Sequence, residues 1–184
     1  MSRSRIVIML ALAVMLVSAV GCSLGVRKAG SVVTGKKDSV FIITGHNESL
    51  TAYKAIAVEK LTSELGGETE SQLCILHAEI VKQLEESKLF DCVSTSDSAP
   101  KDGIIVRGRI IDYCAGKKWK RIATIGGEAF VIVRFSIETA DGKLLGEFNS
   151  RGFVKDALTG GDVKDTAPLI CNGLMNFLED RITR

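Results

Sequence analysis

Alternating apolar residues in the C-terminal half constrain the fold of this chain most strongly. Alternate positions of 104–110 are Ile, Val, Gly and Ile, and alternate positions of 129–137 are all apolar. Because successive side chains of a strand point to opposite faces, this pattern predicts two strands, each with one buried face. Asp141-Gly142 marks a tight hairpin turn, after which 144–154 returns beside the second strand. The pattern predicts antiparallel neighbours.

Two amphipathic helices flank these strands. The first starts at Thr69 or Ser71, either of which can cap a helix, and runs to about residue 87. The second starts at 165 or 166, with Pro168 in its first turn, where a missing N–H costs little. Apolar residues recur at helical spacing in both: Leu73, Leu76, Ile80, Val81 and Leu84 in the first, and Ala167, Ile170, Leu174, Phe177, Leu178 and Ile182 in the second.

Shorter apolar stretches complete the pattern. Residues 52–58 precede the first helix and 89–93 follow it, and both are predicted as strands. The resulting order is β-α-β-β-β-β-α, whose one-sided apolar elements pack in two layers. The sequence therefore predicts a single α+β domain, in which a mainly antiparallel sheet of four to five strands carries two helices on one face.

A recurring pattern of bacterial envelope lipoproteins is visible in the middle of the chain. The first predicted helix ends in Ser87-Lys88-Leu89-Phe90, a strand follows, and the next strand begins with Gly103-Ile104-Ile105. With the Asp141-Gly142-Lys143 hairpin and the terminal helix, this pattern resembles domain-of-unknown-function family 4410 over roughly residues 50–183. Because the matching residues are core and turn residues, the resemblance implies a fold and lends no catalytic residue.

The N-terminus predicts where the protein resides. Arg3 and Arg5 precede an apolar stretch at 6–20, and small residues lead to Cys22, an arrangement typical of a secretory signal peptide. The cut point resembles a bacterial lipobox, in which the cysteine is lipidated and becomes the first residue. A transmembrane anchor is the alternative, but the apolar stretch is shorter than the roughly 20 residues that span a bilayer.

The chain accordingly divides into three predicted parts. Residues 1–21 are a lipoprotein signal peptide, 22–50 a lipid-anchored tether with a short strand at 40–43, and 51–184 a single α+β domain. Ser23 directly after the cysteine, in place of an aspartate, resembles the outer-membrane sorting of Gram-negative lipoproteins. We therefore expect a protein of the outer membrane, anchored in the membrane by lipid at Cys22 and facing the periplasm.

The charge balance excludes one class of partner. The signal peptide holds two of the 24 basic residues and none of the 22 acidic residues, so the rest of the chain is electrically balanced. A balanced chain lacks the basic surface that binds nucleic acids. We therefore expect no nucleic acid as a partner.

The cysteines after Cys22 allow two interpretations. An exported protein can pair Cys74, Cys92, Cys114 and Cys171 as disulfides. Alternatively they are free and buried as small hydrophobic residues, which the apolar helical surroundings of Cys74 and Cys171 favour. The sequence leaves the pairing open.

No motif in the chain predicts a catalytic residue, a metal or a cofactor. Residues 30–37 resemble a phosphate-binding loop, but Lys37 stands where a hydroxyl should bind magnesium. Cys74 and His77 are spaced so that both could reach one metal ion, yet two further ligands are lacking. Two histidines in the sequence leave few candidate bases for nucleophilic catalysis. We therefore expect that the protein is not an enzyme.

A basic segment around the only tryptophan is the strongest candidate binding site. Between two predicted strands, where binding residues are often found, stand Lys117, Lys118, Trp119, Lys120 and Arg121. Tryptophan suits interfaces, and the cations suit anionic lipid headgroups or an acidic protein surface. The alternative is a solvated loop without a partner.

These observations together favour a binding protein. We expect a non-enzymatic, lipid-anchored periplasmic module that binds or assembles another envelope protein through residues 116–121. Open sheet edges also allow a homo-oligomer. The alternative function is a carrier of a small lipid or glycan ligand, held on the sheet face or beside a helix.

Overall fold

The described part of the chain forms a mixed seven-stranded sheet with two α-helices on one face. The structure, a computed structural model, describes residues 34–45, 48–115, 127–156 and 162–183. The strands are β1 (Thr34–Gly45), β2 (Ala55–Val58), β3 (Thr62–Ser63), β4 (Cys92–Thr95), β5 (Gly103–Cys114), β6 (Gly127–Thr139) and β7 (Leu144–Asp156). The helices are α1 (Glu70–Ser87) and α2 (Ala167–Ile182), preceded by short 3₁₀ turns at Gly67–Thr69 and Val163–Thr166.

One half of the sheet is parallel. β2 lies between β4 and β5, and both neighbours run parallel to it, with Val58 opposite Thr95 on one side and Val106 on the other. The two-residue strand β3 also pairs parallel to β5. Because parallel neighbours need a long crossover, the chain passes through α1 between β2 and β4.

The other half is the predicted antiparallel set of strands. Ile104 of β5 lies opposite Thr139 of β6, and Ala129 of β6 lies opposite Val154 of β7. Gly142, in the turn between β6 and β7, has a φ of 83°, which residues with a side chain disfavour. β1 lies beside β7, so the strand order is β1-β7-β6-β5-β2-β4.

The core lies between the sheet and the two helices. The predicted alternation along the strands is confirmed, because one face is fully buried there: Ile104, Val106, Ile110, Ala129, Val131, Val133, Phe135 and Ile137. The helices cover this face with their predicted apolar residues: Leu76, Ile80 and Leu84 of α1, and Ile170, Leu174, Phe177 and Leu178 of α2. Burial of each such large side chain contributes about 1.5–3 kcal/mol relative to exposure.

Small residues let α2 lie very close to β7. A Cβ atom added to Gly146 would stand 2.7 Å from Cζ of Phe177, and one added to Gly173 of α2 would collide with the hydroxyl of Ser150. That hydroxyl donates a hydrogen bond of 3.0 Å to the carbonyl oxygen of Ile170. The helix is therefore fixed to the strand by close backbone approach as well as by apolar burial.

The fold class is α+β as predicted, but the predicted sheet is wrong in size and direction. In the described ranges the sheet is mixed and has seven strands, not four to five mainly antiparallel strands. The difference in direction arises because α1 carries the chain from the end of β2 back to the start of β4, which makes these neighbours parallel. The difference in number comes from β3, which has two residues, and from the long edge strand β1.

Candidate functional site

The residues predicted to contact the membrane or a partner fall outside the described part of the chain. Cys22 precedes the described ranges, and the basic segment lies between 115 and 127, outside them as well: Lys117, Lys118, Trp119, Lys120 and Arg121. Lipidation and the basic segment therefore stay predictions. In the ranges that the structure does describe, no helix has the length and apolar character required to cross a bilayer.

The edge strand β1 exposes a continuous apolar stretch, here termed the β1 apolar edge: Val40, Phe41, Ile42 and Ile43. These residues are 37%, 57%, 64% and 46% exposed, respectively. Because consecutive strand residues point to opposite faces, β1 is apolar on both of its faces. Among the described strands β7 is the single neighbour of β1, so N–H and C=O groups along the outer edge of β1 lack a strand partner.

The fold holds β1 against α2. Val40 packs over Gly173, where an added Cβ atom would stand 3.0 Å from the Cγ2 atom of Val40. Nearby, Nζ of Lys36 lies 4.0 Å from Oδ2 of Asp165, which precedes α2. The β1 apolar edge is therefore positioned by the domain and is part of its surface.

A second feature is a cleft of about 510 Å³ at the carboxyl ends of β2 and β4, here termed the β2/β4 cleft. Its floor is aliphatic and consists of Val58, Leu61 and Leu73. Val58 lies opposite Thr95, so the two strands end side by side. The first half of α1 borders the same end, because the helix must run back over the sheet to reach the start of β4.

The rim of the β2/β4 cleft carries polar groups from three segments. Lys60 follows β2, His77 lies on α1, and Ser96 and Asp97 follow β4. The Nε2 atom of His77 lies 3.5 Å from the carbonyl oxygen of Val58, which places the imidazole across the end of β2. Within the described ranges, neither Lys60 nor Asp97 makes an ion pair. The rim thus presents one unpaired charge of each sign.

The cysteines do not build a site of their own in the described part of the chain. Cys74 and His77 share the rim of the cleft, but no group of three or more His, Cys, Asp or Glu there is arranged to bind a metal ion. No disulfide joins Cys74, Cys92 and Cys171 to one another. The first two are exposed, whereas Cys171 is buried on α2, and burial raises the pKa of its thiol well above the ordinary value.

Ion pairs occupy the sheet face that points away from the helices. The guanidinium group of Arg107 donates hydrogen bonds to Glu59 and Glu138, and the bond to Glu59 is the main cause that raises the pKa of Arg107. Nε of Arg109 lies 3.1 Å from Oε1 of Glu64. Because these arginines already face carboxylates, this surface offers little unbalanced charge to an anionic ligand.

The sequence indicates one of these two surfaces only in part. It predicts a short strand at 40–43, and the four consecutive apolar residues there are the signal for an exposed apolar edge. The β2/β4 cleft had no local signal, because its residues come from positions 58 to 97 and meet only when β2 and β4 pair in parallel.

Comparison with known proteins gives a family and a fold. The family model described as domain of unknown function (DUF4410) matches residues 46–154. No curated protein matches the chain significantly. Among solved structures, the PelC dodecamer from Paraburkholderia phytofirmans is similar, with a TM-score of 0.50 and 14% identity over 77% of this chain and 95% of that chain.

Two other solved structures are less similar. A protein of family DUF330 from Xanthomonas campestris has a TM-score of 0.41 and 11% identity, over 72% of this chain and 85% of that one. A putative neuraminyllactose-binding hemagglutinin homolog from Helicobacter pylori has a TM-score of 0.40 and 9% identity, over 75% and 87%. The family model, in contrast, spans more than half of the chain and confirms the resemblance seen in the sequence: this chain belongs to the DUF4410 family, a domain of unknown function.

Proposed function

We propose that this protein is a non-enzymatic binding module of the bacterial envelope, which assembles with further copies of itself through the β1 apolar edge. The observation that carries this proposal is the exposure of four consecutive apolar residues on a strand whose outer edge has no strand partner in the described structure. Apolar surface and unpaired backbone groups at the same place favour strand pairing with another chain.

A strand from a protein fits the β1 apolar edge better than a lipid surface does. Lipid could cover Phe41 and Ile42, but it offers no hydrogen-bond partners to the N–H and C=O groups of the edge. Each such group that is left unsatisfied in hydrocarbon costs several kcal/mol. A paired strand satisfies the backbone groups and places its own side chains beside those of β1 on both faces.

A second copy of β1 is itself a suitable partner strand. In antiparallel pairing about a two-fold axis, which keeps each residue on the same face of the sheet in both copies, Ile42 can lie opposite Ile42 of the second copy, and Phe41 opposite Ile43. Such apolar cross-strand pairs each contribute roughly 0.2–1 kcal/mol. In the same register Val40 lies opposite Thr44 and Ser39 opposite Gly45, so like charges do not meet across these pairs. The interface is then isologous and closes on itself.

Two further points support assembly in the envelope. PelC, which has a similar fold, is a dodecamer. Lipidation at Cys22, with anchoring at the outer membrane on its periplasmic side, would confine all copies to one surface and raise their effective concentration. In this proposal Lys117–Arg121, with Trp119, contact another envelope protein, whereas the β1 apolar edge pairs with a second copy of the chain.

The test compares two exposed apolar residues of the same chain. Ile42→Lys places a charge in the centre of the proposed interface. Leu65→Lys places one at a residue that is 45% exposed and follows β3, which pairs with β5, and β6 and β7 lie between β5 and β1. The mass of the full-length protein is measured in non-ionic detergent by analytical ultracentrifugation over a range of concentrations. We expect that Ile42→Lys shifts association to at least about tenfold higher concentration, while Leu65→Lys leaves it unchanged. Equal behaviour of both variants and the parent contradicts the proposal.

One observation favours the alternative function, a carrier of a small ligand. The β2/β4 cleft, at about 510 Å³, falls within the roughly 300–1,000 Å³ that is usual for small-molecule sites. Native mass spectrometry of the purified full-length chain tests this alternative, since a carrier should retain a fraction of its ligand through purification. The same spectra give the number of protein copies in each complex, so they test ligand binding and self-assembly separately.

A further inference from the structure

The β2/β4 cleft lies where open α/β sheets commonly bind ligands. Ligands in such sheets bind outside the carboxyl ends of parallel strands. Val58 and Thr95 end two parallel neighbours at the same level, and α1 closes one side with Leu73 and His77. The cleft therefore follows from the β2-α1-β4 crossover itself.

The floor of the cleft selects for an aliphatic group. Val58 and Leu61 are buried beneath it, and Leu73 is half-buried at its side. None of the described residues that line it is Phe, Tyr or Trp. Sugars usually stack on aromatic rings in their binding sites, so this floor suits a hydrocarbon chain and disfavours a glycan.

The rim selects for a head group with charges of both signs. Lys60 and Asp97 follow neighbouring strands, each about two residues beyond the strand end, and neither has an ion-pair partner in the described structure. His77 adds a ring whose Nε2 faces the carbonyl oxygen of Val58, which leaves its Nδ1 edge for a second partner. A purely anionic head would meet the carboxylate of Asp97, and a purely cationic head would meet the ammonium of Lys60.

We infer that the β2/β4 cleft binds a single-chain amphiphile with a zwitterionic head, such as a lysophospholipid that carries phosphate and ammonium groups. The acyl chain lies on Leu61 and Leu73, and the phosphate contacts Lys60. The ammonium contacts Asp97 and donates to Nδ1 of His77, which accepts because Nε2 donates to the carbonyl oxygen of Val58. This inference rests on the carrier alternative above and is independent of assembly through the β1 apolar edge.

The experiment uses two photoreactive probes with the same acyl chain, which carries a diazirine. One is a lysophospholipid with a phosphoethanolamine head, which is zwitterionic, and the other has a phosphoglycerol head, which is anionic. Full-length protein in non-ionic detergent is illuminated with each probe, and peptide mass spectrometry locates the label. We expect labelling of the segments around Leu61 and Leu73 by the zwitterionic probe, which the same unlabelled lipid displaces.

Two variants and two matched controls test the head group. Lys60→Ala and Asp97→Asn change exposed rim residues, whereas Lys82→Ala and Asp91→Asn make the same changes at exposed residues that do not line the cleft. Each rim variant should weaken labelling by the zwitterionic probe about fivefold, the effect of losing a partly solvated charged contact. The controls should label like the parent.

Three results would overturn the inference. The first is label spread over the surface or confined to β1, which indicates adsorption of the probe on exposed apolar residues. The second is equal labelling by the anionic and zwitterionic probes, which shows that the cleft does not distinguish a zwitterionic head group from an anionic one. The third is equal labelling of the rim variants and their controls. None of these results bears on the sedimentation of Ile42→Lys, so the assembly proposal stands or fails separately.

Discussion

Gly152 of β7 lies directly beneath the backbone of Thr166, so close that a Cβ atom added to the glycine would stand 2.6 Å from the Thr166 carbonyl oxygen. Thr166 is fully buried, and its hydroxyl donates a 2.6 Å hydrogen bond to the carbonyl oxygen of Val163. Because the obstacle is backbone and not the end of a flexible side chain, a larger residue displaces the whole 3₁₀ turn. The start of α2 is thus set by a glycine in the sheet.

Substitution of this glycine should destabilise the fold. Gly152→Ala should lower the free energy of unfolding by about 1–3 kcal/mol, the usual cost of overpacking a core contact. Gly67→Ala is the control, because no atom lies within 4 Å of its added Cβ; its effect should stay within about 0.5 kcal/mol. Denaturant unfolding of both variants measures the difference, and an equal loss for both would rule out the close contact as the cause.

The buried thiol of Cys171 should resist alkylation in the folded protein. Cys171 is 1% exposed, and burial raises its pKa, so the reactive thiolate is scarce. We expect maleimide to modify the exposed Cys74 and Cys92 rapidly, and Cys171 only after denaturation, as read by peptide mass spectrometry. Because the folded state holds this proton more tightly than the unfolded state, its contribution to stability is present below about pH 8.5 and is lost at higher pH. Rapid native labelling of Cys171 would contradict its burial.

The antiparallel half of the fold was predictable because its signals are local. Val131, Val133 and Phe135 alternate with half-buried residues, and Gly142 provides the turn. The alternation and the turn each follow from the backbone geometry of a few neighbouring residues, so the sequence alone shows them. The apolar faces of α1 and α2 were predictable for the same reason, because residues three and four apart on a helix share one face.

The parallel half and the cleft were not predictable in this way. Whether β4 pairs beside β2 depends on the path of α1 over the sheet, which no residue of the two four-residue strands encodes by itself. The β2/β4 cleft depends on the same path, since Lys60 and Asp97 become neighbours only when β4 pairs beside β2. The β1 apolar edge lacks the alternation of a half-buried strand, so its sequence predicts only a short strand within the tether and not an edge strand of the sheet.

Lipid anchoring at Cys22 predicts a simple chemical result. In cells supplied with a labelled fatty acid, the parent chain should incorporate label and Cys22→Ala should not, because the modified thiol is lost. Cys74→Ala, which removes an exposed thiol elsewhere, is the control and should be labelled like the parent. Label that persists in Cys22→Ala would refute anchoring at this residue.

The basic segment should contact a protein partner if the proposal for it holds. A photo-crosslinking amino acid at position 119 in living cells should give a discrete protein adduct, which mass spectrometry identifies. An adduct with lipid alone would assign Lys117–Arg121 to the membrane surface. No adduct, beside a working crosslink from another exposed position, would leave this segment as a solvated loop.

The most direct test of the central proposal is photo-crosslinking in cells from position 42, at the centre of the β1 apolar edge. Position 65, which is also exposed and apolar, serves as the control. Pairing between copies predicts a species of twice the chain mass from position 42, in which mass spectrometry finds only this chain and maps the crosslink to 40–43 of the second copy. A heterologous protein in that adduct, or the same pattern from position 65, would contradict self-assembly through β1.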